Sequence, residues 1–130
     1  MTKKEAIQKI KRSKSNNVKG VLQRSVCPVA NTLDIIGDKW TLLIIRDLFV
    51  GKSTYKAFQE SPEGIPTNIL ADRLKRLELH GVVDKKPYQS NPVRYTYLLT
   101  QKGKELGPVL LSVKQWGEKH IPGTKAMIQA

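Results

Sequence analysis

The sequence has little sulfur to work with. Cys27 is the single cysteine in 130 residues, so an intramolecular disulfide and a four-cysteine zinc site are excluded, and a reducing compartment is the natural setting. Histidine is as scarce. His80 and His120 each stand without a second ligand at metal spacing, and His80 reads as a helix C-terminal residue favoured by the helix dipole. Long apolar runs are absent. The most apolar stretch, residues 40–50, is interrupted by Arg46 and Asp47 and is too short for a bilayer. The opening MTKKEAIQKIKRSK has no signal-peptide core. A cytoplasmic location with no membrane partner is therefore expected. No glycine-rich phosphate loop and no paired carboxylates at a plausible cleft are present. No catalytic residue, metal or cofactor is assigned, and an enzyme is the least supported class.

Acidic residues are also few, 11 against 23 Lys and Arg, for a formal charge of +12. A polyanionic partner is the direct implication. The excess is unevenly spread: residues 1–25 hold eight Lys and Arg against one Glu. Residues 1–24 thus read as a basic arm, partly helical (Ala6, Ile7 and Ile10 share one side) or disordered. The arm is either a solvated tail or a contact to phosphates or a minor groove. Residues 25–121 read as one folded domain and 122–130 as a loose tail. The chain is 39% hydrophobic and 26% charged, a globular profile.

Cys27-Pro28 opens the first convincing helix, with Val29, Leu33 and Ile36 at helical spacing and Gly37 as its stop. Asp38 is suited to cap the next helix, from Lys39 to Phe49 or Val50, whose Trp40, Leu43, Ile44, Leu48 and Phe49 leave little polar surface. Ser53 or Thr54 caps a short helix, about 54–60, with Tyr55 and Phe58 inward. A turn over 61–66 leads to a stronger helix from Pro66 or Thr67 to His80, with Ile69, Leu70, Leu74 and Leu77 as its buried stripe and Gly81 after it. Strands follow at Val82–Pro87 and Val93–Leu99, joined by the loop formers Tyr88 to Pro92. Thr100 then caps a long helix to about His120, ended by Pro122-Gly123. Leu106, Val109, Leu110, Val113 and Trp116 mark its apolar side.

Short helix, turn and helix make a helix-turn-helix, and a hairpin directly after it is a wing. The predicted fold is mainly α (α+β): a winged helix-turn-helix with a two-stranded β-hairpin wing and flanking N- and C-terminal dimerisation helices. The N-terminal part of the helix over 67–80 is then the element for a major groove. Thr67 and Asn68 sit where base edges are reached, Asn pairing with adenine and Thr meeting a thymine methyl. Ala71 allows close approach. Arg73 and Lys75 suit phosphates. Asp72 opposes them unless Lys75 or Arg76 pairs it. Lys52 and Lys56 beside the short helix, and Arg94 in the wing, complete the DNA-binding set, with Tyr88 and Gln89 weaker. Val29, Leu33, Leu110, Val113 and Trp116 form the expected dimer interface, the first and last helices pairing partly across a two-fold axis. Cys27, at a helix N-terminus near Arg24, is open to two readings: an idle thiol, or a redox sensor whose thiolate the dipole and the arginine favour.

Together these residues resemble the HxlR-type regulators. Cys27-Pro28-Val29 with Leu33-Asp34-Ile35-Ile36-Gly37-Asp38-Lys39-Trp40 looks like that family's opening signature. Asn68 to Glu78, closed by Gly81-Val82-Val83, is similar to its recognition-helix segment. Tyr95-Thr96-Leu98-Thr100-Gly103 and Trp116-Gly117 match as well, so the resemblance spans about residues 24–121. It implies a dimeric winged-helix transcriptional regulator on a pseudo-palindromic double-stranded operator, and a cysteine position that some members use to sense oxidants or electrophiles. Thr54-Tyr55 departs from the family's usual Arg-Phe pairing. A non-specific nucleic-acid binder and a winged-helix protein-interaction module remain as alternatives, and no small-molecule effector is identified.

Overall fold

The computed structural model describes residues 24–125. The expected arm helix and most of the 1–24 segment lie outside them, as does the tail beyond residue 125. The described chain runs α1 (Pro28–Ile36), α2 (Thr41–Phe49), α3 (Tyr55–Gln59), α4 (Thr67–Leu79), β1 (Val83–Ser90), β2 (Val93–Leu99), α5 (Gln101–Lys104) and α6 (Gly107–His120). The two strands pair antiparallel, Val83 opposite Leu99 and Pro87 opposite Tyr95, with a register shift between Pro87 and Gln89. This is a winged helix-turn-helix, with α3 and α4 as the motif and the hairpin as the wing.

Each start and stop has a local cause. Pro28 lies in the first turn of α1, where its missing N–H loses no partner. Thr54 accepts a hydrogen bond from the Ala57 N–H and caps α3. Gly51 and Gly81 end α2 and α4 at φ values of 97° and 75°, a region costly for any residue with a Cβ. The core lies where α2 and α4 cross the base of the hairpin. Ile44, Ile45, Phe58, Leu70, Leu74, Leu77, Val82 and Val83 are all but sealed from solvent. The Tyr97 N–H donates to the Ser53 carbonyl at 2.8 Å, tying the wing to the segment that leads into α3.

Three elements differ from the sequence expectation. Helix α2 begins at Thr41 rather than Lys39, because Asp38 spends its carboxylate on the Trp40 and Thr41 N–H groups and holds residues 38–40 as a turn. The first strand runs three residues further than expected, to Ser90, because Gln89 and Ser90 pair with Arg94 and Val93 beyond a bulge at Tyr88 instead of forming the turn. The last helix is two. A Cβ on Gly103 would stand 2.2 Å from the Val82 carbonyl oxygen, so α5 lies hard against the start of β1. The chain then re-enters a helix at Gly107-Pro108, where proline suits a first turn.

Candidate nucleic-acid interface

Helix α4 is one-sided. Leu70, Leu74 and Leu77 anchor it, and Thr67, Asn68, Asp72 and Lys75 stand exposed on the other side, with Ala71 half-buried between them. The face is therefore presented by packing from behind. Thr67 is also held laterally: Gln59 Nε2 donates to Thr67 Oγ1 at 2.8 Å, linking the end of α3 to the start of α4.

The structure divides the expected cations into two groups. Lys56, Lys75 and Arg94 are exposed and make no ion pair among the described residues. Arg73 and Lys52 are drawn inward. The Arg73 side chain is only 18% exposed and bonds Asp72 and, at 3.2 Å, Asp38, which ties α4 to the turn before α2. Lys52 is half-buried, and its ammonium donates to Ser61 Oγ at 2.7 Å. Asp72 is neutralised by Arg73 and, at 3.9 Å, by Arg76. Lys75, the other expected partner, takes no part in this pairing.

The turn between α3 and α4 has its own support, which sequence reasoning missed. Asp47, 3% exposed, accepts from Ser61 Oγ at 2.6 Å and from Arg46 at 2.8 Å. Arg46 also donates to both oxygens of Glu63, each at 2.8 Å, so α2 grips the turn at two points. The hydrogen bonds that Arg46 donates to Glu63 raise the Arg46 pKa and lower that of Glu63. The one signal available was the charged pair Arg46-Asp47 inside an apolar helix. A buried charge needs partners, and the turn supplies them.

The wing leans over α3. Tyr55 and Tyr97 have ring centroids 6.0 Å apart, and Lys85 Nζ lies 4.5 Å from the centre of the Tyr95 ring. Burial first, then the neighbouring Tyr55, raises the Tyr97 pKa, so its phenol stays protonated.

On α1 and α6 an apolar surface is open. Val29 and Leu33 of α1 and Val113 of α6 are more than half exposed, and Trp116 is 63% exposed. A cleft of about 460 Å³ runs between the two helices, lined by Val29, Leu33, Val109 and Val113. Leu110, expected on the same surface, is 6% exposed and faces its own chain, because it lies on the side of α6 that packs inward. Cys27 is exposed at the N-cap of α1. Arg24 does not attend it. Its guanidinium bonds Asp34 at 2.8 Å and the Ala30 carbonyl at 3.2 Å instead. Among the described residues no helix is long and apolar enough to cross a membrane, and no group of three or more His, Cys, Asp or Glu could hold a metal.

Comparison with known proteins agrees with this geometry. The family model described as HxlR-like helix-turn-helix matches residues 35–125. The uncharacterised HTH-type transcriptional regulator YdeP of Bacillus subtilis is 39% identical over 94 residues, covering 72% of this chain and 73% of YdeP. The corresponding figures for the uncharacterised regulator sll1512 of Synechocystis are 34% over 92 residues, 71% and 68%. Among solved structures, the redox regulator HypR in its reduced form superposes with a TM-score of 0.66 at 34% identity, covering 72% of this chain and 92% of HypR. The reduced transcriptional regulator YodB of B. subtilis gives 0.61 at 29%, covering 78% of this chain and all of YodB, 100%.

Proposed function

The chain belongs to the HxlR-like helix-turn-helix family of transcriptional regulators, and from that premise we propose that it is a homodimeric, sequence-specific double-stranded-DNA binder whose occupancy of its operator responds to oxidation of Cys27. The observation that carries the reading is the outer face of α4. Its apolar side is buried, its acid Asp72 is neutralised from within the chain, and Thr67, Asn68, Ala71 and Lys75 are left turned outward beside an exposed Arg94 in the wing. Asn68 supplies the base-reading amide. Lys56, Lys75 and Arg94 supply phosphate contacts that fix register. Arg73 and Lys52 act one step back, holding α4 and the turn that precedes it.

A two-fold operator needs two copies of α4. The uncovered surface of α1 and α6 supports a dimer built on Val29, Leu33, Val113 and Trp116, since contiguous apolar exposure of this kind marks an interaction surface. Cys27 stands at the end of that surface, exposed. HypR has been solved in reduced and oxidised forms, and YodB in reduced and diamide-treated forms, which supports a redox role for the exposed thiol here.

The test is selection of bound duplexes from a random pool by the full chain, followed by titration of the selected site. A pseudo-palindromic site bound with Kd on the order of 10⁻⁸ M or tighter at physiological salt is expected. Asn68→Ala is expected to cost about 1–3 kcal/mol, confined to one base position in each half-site. Equal affinity for all duplexes, or binding that disappears with residues 1–20 while the domain stays folded, would overturn the reading in favour of a non-specific binder.

A further inference from the structure

The wing and α3 enclose a cleft of about 420 Å³. Its walls gather all four tyrosines of the chain: Tyr55 from α3, Tyr88 from β1, and Tyr95 and Tyr97 from β2. Three cations, Lys56, Lys85 and Arg94, line the same space, and no carboxylate does. Glu78 reaches Lys85 from outside at 3.8 Å, and Lys56 and Arg94 have no ion-pair partner among the described residues. Tyr97 and Tyr55 are partly committed to the core through each other and Phe58. Tyr88, at the bulge of the wing, is not: it is 53% exposed and lines the cleft together with Val93. A sugar-phosphate strand is met by cations and by hydroxyl donors, tyrosine's included, and it makes no use of aromatic ring faces. Exposed aromatic surface at Tyr88, two cations without ion-pair partners among the described residues and a third, Lys85, already 4.5 Å from the centre of the Tyr95 ring, in a concavity within the usual range for small ligands, match a planar ligand that carries negative charge.

We propose that this cleft is an effector site for a planar aromatic anion of one or two rings, its ring against Tyr88 and Tyr95 and its carboxylate or phenolate among Lys56, Lys85 and Arg94. Two of these cations, Lys56 and Arg94, are also phosphate contacts in the DNA-binding reading. The regulatory half of the inference rests on that reading: a bound anion neutralises charge that DNA needs, so effector and operator compete. Linkage then requires each to weaken the other by the same factor. The binding half stands without DNA.

The experiment titrates 2-naphthoate into the full chain without DNA, followed by NMR of the tyrosine rings. Saturable shifts of the Tyr88 and Tyr95 signals are expected. The uncharged 2-naphthalenemethanol and the ring-saturated cyclohexanecarboxylate are each expected to bind at least about tenfold more weakly. Tyr88→Ala and Lys85→Ala alter exposed side chains outside the core and are expected to weaken naphthoate binding by a similar factor with the fold intact. Adding naphthoate to the complex with the selected duplex is expected to release DNA. Absence of a saturable shift, or binding unchanged in both variants, overturns the proposal. If naphthoate does not bind while Tyr88→Ala weakens DNA binding, the cleft is a seat for the DNA backbone and the effector site is refuted, with the DNA-binding reading intact. If naphthoate binds as described and the chain selects no duplex, the DNA reading fails and the ligand site stands.

Discussion

Removal of the Asp38 carboxylate tests the architecture where it supports the proposed interface. Asp38 Oδ1 accepts from the N–H groups of Trp40 at 2.8 Å and Thr41 at 3.0 Å and from Arg73 Nε at 3.2 Å, while Oδ2 accepts from the Thr41 hydroxyl at 2.5 Å. Burial works against the charge. The bonds from the Thr41 hydroxyl, the Trp40 amide and Arg73 outweigh it and bring the pKa from 3.8 down to about 2. That difference corresponds to about 2 kcal/mol of folding stability. The folded-state pKa is the lower one, so this contribution is complete above the unfolded pKa and is lost as pH falls towards 2; about half is gone at pH 3. Asp38→Ala, which also leaves two N–H groups without a cap, is expected to cost about 2–3 kcal/mol at pH 7, roughly 10 °C in Tm for a domain of this size. Asp38→Asn keeps a neutral acceptor but loses the charge, and is expected to cost about 2 kcal/mol at pH 7, a gap that narrows as pH falls towards 3. Urea unfolding of wild type and both variants between pH 7 and pH 3 measures this, with equal m-values as the control for two-state behaviour. The reasoning is refuted by a cost for Asp38→Ala under about 0.5 kcal/mol at pH 7, or by a gap between wild type and variant that is as wide at pH 3 as at pH 7.

Two further outcomes follow from the exposed surfaces. Trp116→Glu places a charge on the exposed apolar side of α6 and is expected to convert the proposed dimer to monomer by sedimentation, raising the dimer Kd at least about 100-fold while helix content is kept; a variant that still sediments as the wild type would remove Trp116 from the proposed interface. Cys27→Ser is expected to bind operator like the wild type and to lose the release of DNA caused by mild oxidant, read by electrophoretic mobility shift. Release that persists in Cys27→Ser would assign the response to another group.

Much of the fold was written locally. The leucine spacing of α4, Thr54 as a cap, and Gly51 and Gly81 as stops each act within one or two turns of chain, so the order of elements could be read from residues alone. What escaped depended on distance. Nothing near Arg73 in sequence says that Asp38, 35 positions away, will hold it. Arg46 and Glu63 are 17 apart and meet only because α2 lies beside the turn. The long C-terminal helix failed for the same reason: its break is set by the approach of Gly103 to the Val82 carbonyl, a tertiary contact that helical periodicity cannot show. Leu110 lies on the apolar stripe with Val113 and Trp116, and only packing separates the side facing its own chain from the side left open.

The placement of Arg73 points to a division of labour between the two cations. Arg24, Arg46, Arg73 and Arg76 each meet a carboxylate of their own chain, and Arg94 in the wing is the exception, left without one among the described residues. The forked guanidinium can bond two groups at fixed angles, as Arg46 does with Asp47 and Glu63, and this suits it to lock one element against another. An ammonium on a flexible stem locks less rigidly, as Lys52 does through its bond to Ser61, but it is an adequate point charge, and Lys56 and Lys75 remain on the surface without ion-pair partners among the described residues. Acids that would repel phosphate are consumed in the process, Asp72 by Arg73 and Arg76 and Glu63 by Arg46, while Asp47 is buried against Arg46 and Glu60 at the end of α3 stays exposed without an ion pair among the described residues. The positive character of the face therefore owes less to the number of its cations than to the neutralisation of its anions from inside. For this reason the fold can carry Asp72 in the middle of the helix proposed to enter the major groove.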